Sequence, residues 1–401
     1  MKNTNIVNVS YMHGNKKLAM GRLALKDRKI FFEYNPEFIV TGLELSPFKL
    51  PLQPGIFFCE DQIFDGLFGI FNDSLPDGWG RLLLDRKLMQ LGINPNVLSP
   101  LDRLRYVGSN GMGALIYEPE ISDISTSHNT DLDQIHNEIL AFQANNDVEY
   151  IDDLIKMNGS SAGARPKVML NLSGSEWLIK FRNSADPQDA GPIEYAYHLM
   201  AKAANLNVPE ARLFSSKNNL GYFGVKRFDR VAGKRLHMHT VSGLLHADFR
   251  IPSLDYMAII QSTLWLTKDI RECKHQFRAA VFNVLTHNRD DHARNFSFLM
   301  NEQGIWQVSP SYDLNFSSGP AGEHSTTIMH EGKFPKIGHL LLLAEIGQVD
   351  KANALQIIDE VRTAVDMWPK FAQESGVLAT SEKTIHMAMQ RINKTLFASA
   401  P

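Results

Sequence analysis

H-N-R-D-D-H-A-R-N, residues 287–295, followed by P-S-Y-D, residues 310–313, is the stretch on which the reading of this chain turns. Asp290 and Asn295 stand five residues apart (295 − 290), and Asp313 comes 23 residues after Asp290 (313 − 290). An aspartate, four residues, an asparagine and a separate downstream aspartate is the order of a phosphoryl-transfer catalytic loop. That chemistry asks little covalent work of a protein. It needs a carboxylate to orient or deprotonate the attacking hydroxyl, the role Asp290 suits, and hard oxygen ligands for magnesium, the role Asn295 and Asp313 suit.

Two other readings compete for the same residues. A polar loop following an apolar helix uses Asp and Asn to close turns, with no chemistry implied. Alternatively His287, Asp290, Asp291 and His292 crowd six positions and offer imidazole and carboxylate ligands to zinc, manganese or iron, as in a metal-dependent nuclease or phosphatase. No H-E-x-x-H and no second histidine cluster accompanies them.

Upstream elements favour phosphoryl transfer. Lys180 ends the strand-like W-L-I-K-F, where the kinase V-A-I-K places its nucleotide-pairing lysine. Glu194, fourteen residues on (194 − 180), falls near the start of the next helix, where it can hold that lysine. The loop from Ser160 to Lys167 has one central glycine, Gly163, flanked by Ala162 and Ala164. It matches neither G-x-x-x-x-G-K-[ST] nor G-x-G-x-x-G. Its small side chains still let backbone N–H groups approach phosphates, and Arg165 and Lys167 add positive charge. Taken singly, each has an ordinary explanation: a surface lysine, a carboxylate favoured at a helix N-terminus, a turn. Together the five elements stand in the required order. A second glycine-rich stretch, G-S-N-G-M-G (108–113), has no lysine partner and reads as a turn.

Composition bounds the rest. At 401 residues, 44% apolar and 21% charged, the chain suits two or three globular domains with a large core. With 41 basic against 44 acidic residues, the net charge of −3 gives no global field for nucleic acid. The two cysteines, Cys59 and Cys273, show neither metal spacing nor a disulfide framework, as suits a reducing compartment. The N-terminus has no signal-peptide core, and the longest aliphatic run, Leu340 to Ala344, is too short to span a bilayer. A cytoplasmic location is the expectation.

The pattern along the chain predicts an α+β protein. Residues 1 to about 120 form a β-rich unit, with strands near 6–12, 29–34 and 57–58 and a helix in which Leu82, Leu83, Leu84 and Leu88 face the core. Residues 121–149, centred on S-D-I-S-T-S-H-N-T-D-L-D, form a linker. From 150 to 401 the chain holds a loop and hairpin, a helix near 193–206, a strand run reaching Arg230, and from about 231 a mostly helical portion.

With these residues in view, the chain resembles the HipA family of serine/threonine kinases, the toxin halves of type II toxin–antitoxin pairs. The resemblance lies in L-S-P-F-K-L-P-L, F-N-D-S-L-P-D-G-W-G-R and G-S-N-G-M-G-A-L of the first unit. In the second it lies in S-A-G-A-R-P-K, W-L-I-K-F, V-K-R-F-D-R, N-R-D-D-H-A-R-N-F-S and S-P-S-Y-D. It implies a two-lobed kinase-like fold binding ATP and Mg2+, Asp290 as general base, and Asn295 and Asp313 on the metal. Lys180 would lie on the phosphates, and Lys226, Arg227 and Phe228 would form an adenine-facing hinge. It further implies autophosphorylation of Ser160, a HipB-like DNA-binding antitoxin as partner, DNA contact only through that antitoxin, and a translation-linked protein substrate such as an aminoacyl-tRNA synthetase. Three departures stand out: Lys226 replaces the usual hinge glutamate, Arg165 replaces a glutamine, and residues 236–250 lack the acidic, glutamine-containing stretch of well-known members. A degenerate corepressor, acting only with the antitoxin, is the competing expectation.

Overall fold

In the computed structural model, which describes residues 5–121, 131–144, 151–158 and 163–397, the first sheet follows from alternation. Val7, Val9 and Tyr11, two positions apart, are buried on one face of β1 (Ile6–His13). β2 (Lys16–Lys26), β3 (Lys29–Tyr34), α1 (Pro36–Val40), β4 (Ile56–Phe58) and later β5 (Leu115–Glu118) complete an antiparallel sheet of order β4-β3-β2-β1-β5. β2 and β5 went unforeseen. β2 is long and lysine-flanked and carries Gly21 in mid-strand, which the approach of Glu33 requires: a Cβ there would lie 2.3 Å from the Glu33 carbonyl oxygen.

Between β4 and β5 lie α2 (Gly69–Asn72), α3 (Gly78–Gln90) and α4 (Pro100–Val107). Ser99 and Asp102 form a capping box at the start of α4. In α3, Leu83, Leu84 and Leu88 are buried as expected, but Leu82 is 45% exposed, because three consecutive leucines cannot share one helical face. Within the stretch expected as a linker, α5 (Leu132–Gln143) buries Ile135, Ile139 and Phe142, whose i, i+4, i+7 spacing outweighs the polar run before it. α6 (Ile151–Asn158) follows, then the hairpin β6 (Lys167–Leu172) and β7 (Ser175–Lys180).

The chain divides into two compact units that are not successive halves. Unit 1 comprises residues 1–186, 226–246 and 299–305; unit 2 comprises 187–225, 247–298 and 306–401. Unit 2 opens with α7 (Ala190–Ala203) and the antiparallel β8 (Ala211–Phe214) and β9 (Tyr222–Lys226). The chain returns to unit 1 at Lys226 and leaves it again just after α8 (Val241–Leu245). Unit 2 then builds α9 (Tyr256–Thr267), α10 (Ile270–Leu285), α11 (Ile337–Ile346), α12 (Lys351–Asp366), α13 (Trp368–Ser375) and α14 (Ala379–Leu396). Its core centres on Tyr197 of α7 and Trp368 of α13, both fully buried, with ring centroids 5.4 Å apart. The Tyr197 hydroxyl donates to the Thr286 carbonyl at 2.6 Å, tying α7 to the end of α10. The buried Asp189 accepts from the Leu378 amide and the Ser381 hydroxyl, fixing the start of α14 beside α7. Among the described residues no helix is long and apolar enough to cross a membrane.

Candidate functional site

In unit 1, one group of the expected residues lies on and around the β6–β7 hairpin. Ser173 and Gly174 both have positive φ (52° and 78°), the backbone of a tight two-residue turn whose twist matches the strands. That turn sets the register, and at the open end of the hairpin it places Lys167 directly opposite Lys180. Directly opposite residues share a face, so the ladder sets two cations side by side, an arrangement that costs free energy unless anions gather there. Lys167 is buried, and its Nζ occupies the space beside Gly163: a Cβ on Gly163 would stand 2.5 Å from it. With φ at 105°, Gly163 also holds a conformation that strongly favours glycine.

The small-residue loop is seated by residues that sequence reading did not assign. Asp77 accepts the Gly163 N–H, and the Trp79 N–H donates to the Gly163 carbonyl at 3.1 Å. Gly78 lies so close that a Cβ would be 2.7 Å from the Gly163 carbonyl oxygen and the Ala164 Cα. The D-G-W of F-N-D-S-L-P-D-G-W-G-R is thus a cradle for the loop. The signal was present in the sequence as a glycine and a carboxylate in a tight turn, but its counterpart is 86 residues away. Arg165 pairs with Asp186 at 3.2 Å. Ser160 and Ala162 lie outside the described residues.

Residues 226–228 also belong to unit 1. The Arg227 amide donates to the Glu176 carbonyl at 2.9 Å, and its guanidinium binds the Glu176 and Asp229 carboxylates at 2.8 Å each. The Arg227 side chain is therefore buried in a protein ion-pair network, which leaves the backbone of this segment as the part that suits the expected hinge. Lys226 and Phe228 are partly exposed.

Unit 2 carries a separate, acidic group of the expected residues. α10 ends at Thr286, and His287 turns the chain with φ at 57°. Arg289 donates to the Gly322 and Lys333 carbonyls, anchoring the loop on its far side. Asp290 and Asp291 then part company: Asp290 is exposed, while Asp291 is buried. The Asp291 carboxylate accepts from the Tyr256 hydroxyl (2.8 Å), His324 Nδ1 (2.8 Å) and the Thr326 amide (3.3 Å). Asn295 Nδ2 donates to the Asp290 carbonyl at 2.7 Å, so the two residues of the motif brace each other. The Tyr312 hydroxyl donates to the Arg294 carbonyl at 2.6 Å and meets the Ser297 hydroxyl at 2.5 Å. This ties the segment before Asp313 to the loop that carries Asn295. Asp313 has φ at 55°, a conformation costly for a residue with a Cβ and kept only where surroundings impose it. Glu194 is buried near the start of α7.

The cluster that suggested a transition metal does not converge. Asp291 is occupied by Tyr256, His324 and Thr326, and His287 Nδ1 donates to the Ser317 carbonyl. Among the described residues, donor atoms of metal type do gather at Cys59, Asp61 and His246 in unit 1. There His246 Nε2 accepts the Gly69 N–H, so the ring proton sits on Nδ1 and is donated to Asp61 at 2.7 Å. A metal on Nδ1 would leave the ring with no proton at all. Burial and Asp61 push the Cys59 thiol up to about 11, which keeps it protonated. This trio is a hydrogen-bonded lock.

Comparison with known proteins bears on the family and the fold. A sequence model described as HipA-like C-terminal domain matches residues 159–368, and one described as HipA N-terminal domain matches residues 14–118. Among solved structures the chain is similar to one in the Shewanella oneidensis MR-1 toxin–antitoxin complex of HipA, HipB and operator DNA. There the TM-score is 0.69 and the identity 15%, over 98% of this chain and 100% of that one. A looser likeness, to the Helicobacter pylori proinflammatory kinase CtkA, has a TM-score of 0.35 and 14% identity over 57% of this chain and 95% of that one; it carries no weight here.

Proposed function

The chain belongs to the HipA family, and from that premise we propose that it is an ATP- and Mg2+-dependent serine/threonine protein kinase of the cytoplasm. The observation that carries the reading is the Lys167–Lys180 pair at the mouth of the Gly163 loop. Two lysines held opposite each other by strand register, beside a backbone that tolerates no side chain, suit a polyphosphate. Arg165 adds charge at the rim. Adenine would meet the backbone of Lys226, Arg227 and Phe228; with the Arg227 side chain and amide engaged by Glu176 and Asp229, its carbonyl is the group offered.

In unit 2, exposed Asp290 is the group that orients and deprotonates the substrate hydroxyl, a contribution of roughly 10²–10⁴ in rate. Its backbone is braced by Asn295 Nδ2, and the Asn295 Oδ1 would serve as an acceptor. That oxygen and the Asp313 carboxylate are a hard donor set that fits Mg2+. Magnesium held there would neutralise charge on the transferring phosphoryl group. We further propose Ser160 as the site of autophosphorylation, since a phosphate bearing nearly two charges is incompatible with bound ATP phosphates. The partner would be a HipB-like antitoxin that supplies the DNA contact, and the substrate a translation-linked protein such as an aminoacyl-tRNA synthetase. The HipA–HipB–operator complex of the similar structure supports the antitoxin.

The test is incubation with Mg2+ and γ-labelled ATP beside Asp290→Ala and Asp313→Ala. Label on the Ser160 peptide that is lost in both variants is the expected result. No label and no nucleotide binding would replace the kinase with a corepressor. Metal-dependent DNA cleavage without ATP would point to a nuclease.

A further inference from the structure

One sequence motif remains without a role: the glycine-rich G-S-N-G-M-G at 108–113. In unit 1 it is gripped by arginines. The Arg235 guanidinium donates to the carbonyls of Ser109, Gly111, Gly113 and Leu115, and Arg230 donates to those of Gly111 and Gly113. Arg227 reaches the Gly111 carbonyl at 3.5 Å. At the centre sits Asp229, fully buried, which accepts from Arg227 Nε and Nη2, from Arg230 Nη1 and from the Gly113 amide at 2.8–3.0 Å. Glu176 of β7 closes the network from the other side through Arg227 and Arg230.

Three guanidinium groups in so small a space repel one another, and one buried carboxylate with Glu176 must offset them. Burial would raise the Asp229 carboxyl, but Arg227 and Arg230 overcome it and hold it at about 2. Burial and its arginine neighbours lower Arg235 to about 10, which leaves it charged at neutral pH. Asp229 follows immediately on Lys226–Phe228, so whatever fixes Asp229 fixes that segment.

We propose that Asp229 is a positioning residue for the nucleotide-binding hinge. By gathering Arg227, Arg230 and Arg235 against the 108–113 loop, it locks the backbone of residues 226–228 beside Glu176 and presents it to the base. The inference rests on the kinase reading above, in which that backbone meets adenine. The glycine-rich loop is then a backbone anchor: its carbonyls face the arginines because Gly108 and Gly113, with φ at 53° and 72°, turn the chain to aim them.

The test uses the full chain and two ligands, Mg2+–ATP and adenosine, which carries the base without phosphates. Asp229→Asn removes the charge but keeps the shape. Its dissociation constants for ATP and for adenosine should rise together by about tenfold, with KM for ATP following and kcat within about twofold. Lys180→Ala should weaken ATP and leave adenosine unchanged. Arg235→Lys, which keeps the charge but cannot span four carbonyls, should give the same joint rise by about threefold. It decides the matter if Asp229→Asn does not fold. A variant that unfolds at lower temperature but binds adenosine like wild type, well below its transition, would overturn the inference and leave the kinase reading standing. Wild type that binds neither ligand would instead sink the kinase reading itself.

Discussion

Asp229 in unit 1 and Asp291 in unit 2 are both buried carboxylates that set a backbone segment beside the proposed chemistry, yet they are satisfied in opposite ways. Asp229 sits among guanidinium groups. Asp291 sits among short-range donors from a tyrosine, a histidine and a backbone amide. The difference follows from what each must reach. The 108–113 loop offers carbonyls several ångströms apart, and only a long forked cation spans them. The loop that carries Asp291 lies against Tyr256 of α9, and that hydroxyl, His324 and the Thr326 amide are near enough to satisfy it. Guanidinium charge therefore dominates at the one carboxylate, and hydrogen bonds from a phenol, an imidazole and an amide at the other.

That contrast can be broken in graded steps. Asp229→Ala should cost the most, about 3–5 kcal/mol, because it strands buried guanidinium groups. Denaturant unfolding with wild type as reference measures it, and a loss under about 1 kcal/mol would mean the network behaves as a surface one. Asp291→Ala should cost somewhat less, about 3 kcal/mol, by leaving Tyr256, His324 and Thr326 unsatisfied. If Asp291→Ala proves the more damaging, the comparison reverses.

Acid probes unit 1 through His237. Its Nε2 donates to the Leu45 carbonyl, and burial, with His239 second, lowers it to about 3. The unfolded chain takes up a proton near pH 6.5 that the folded chain refuses. Stability is therefore full above that pH and falls by about 1.4 kcal/mol per unit between there and the folded value. The denaturation midpoint should drop between pH 6 and 4.5, and His237→Phe should remove one proton from the slope; an unchanged slope would contradict the assignment. The smallest expected change in stability is Asp290→Ala, within about 0.5 kcal/mol of wild type, although it removes phosphoryl transfer. Neighbouring aspartates, one lost to function and one to folding, would separate chemistry from scaffold inside a single motif.

Much of the site was legible because its signals are local. The β6–β7 hairpin, Lys180 at its end, Glu194 on α7, and the helix that delivers Asp290 each follow from spacing within a dozen residues or so. Most of what was missed at the candidate site depends on a partner distant in sequence. Asp77, Gly78 and Trp79 are a turn until Gly163 is set against them. That the Arg227 side chain is held by Asp229 and by Glu176, 51 residues away, no local pattern recorded. His287 and Asp291 resembled metal ligands until Ser317, Tyr256 and His324 took their polar atoms. Leu82 and the residues of α5 were misjudged because local polarity and runs of leucine do not say which face a helix will bury.

By itself the sequence determined the family, the α+β character and the order of the chemical groups, because those rest on residue types and short spacings that folding does not alter. Tertiary structure alone decided which of two adjacent aspartates faces solvent, which arginine side chain is scaffold, and which arginines grip the 108–113 loop. Each of those outcomes depends on who occupies a buried polar group's remaining hydrogen bonds. That partner comes from tens to hundreds of residues away, where no periodicity records it.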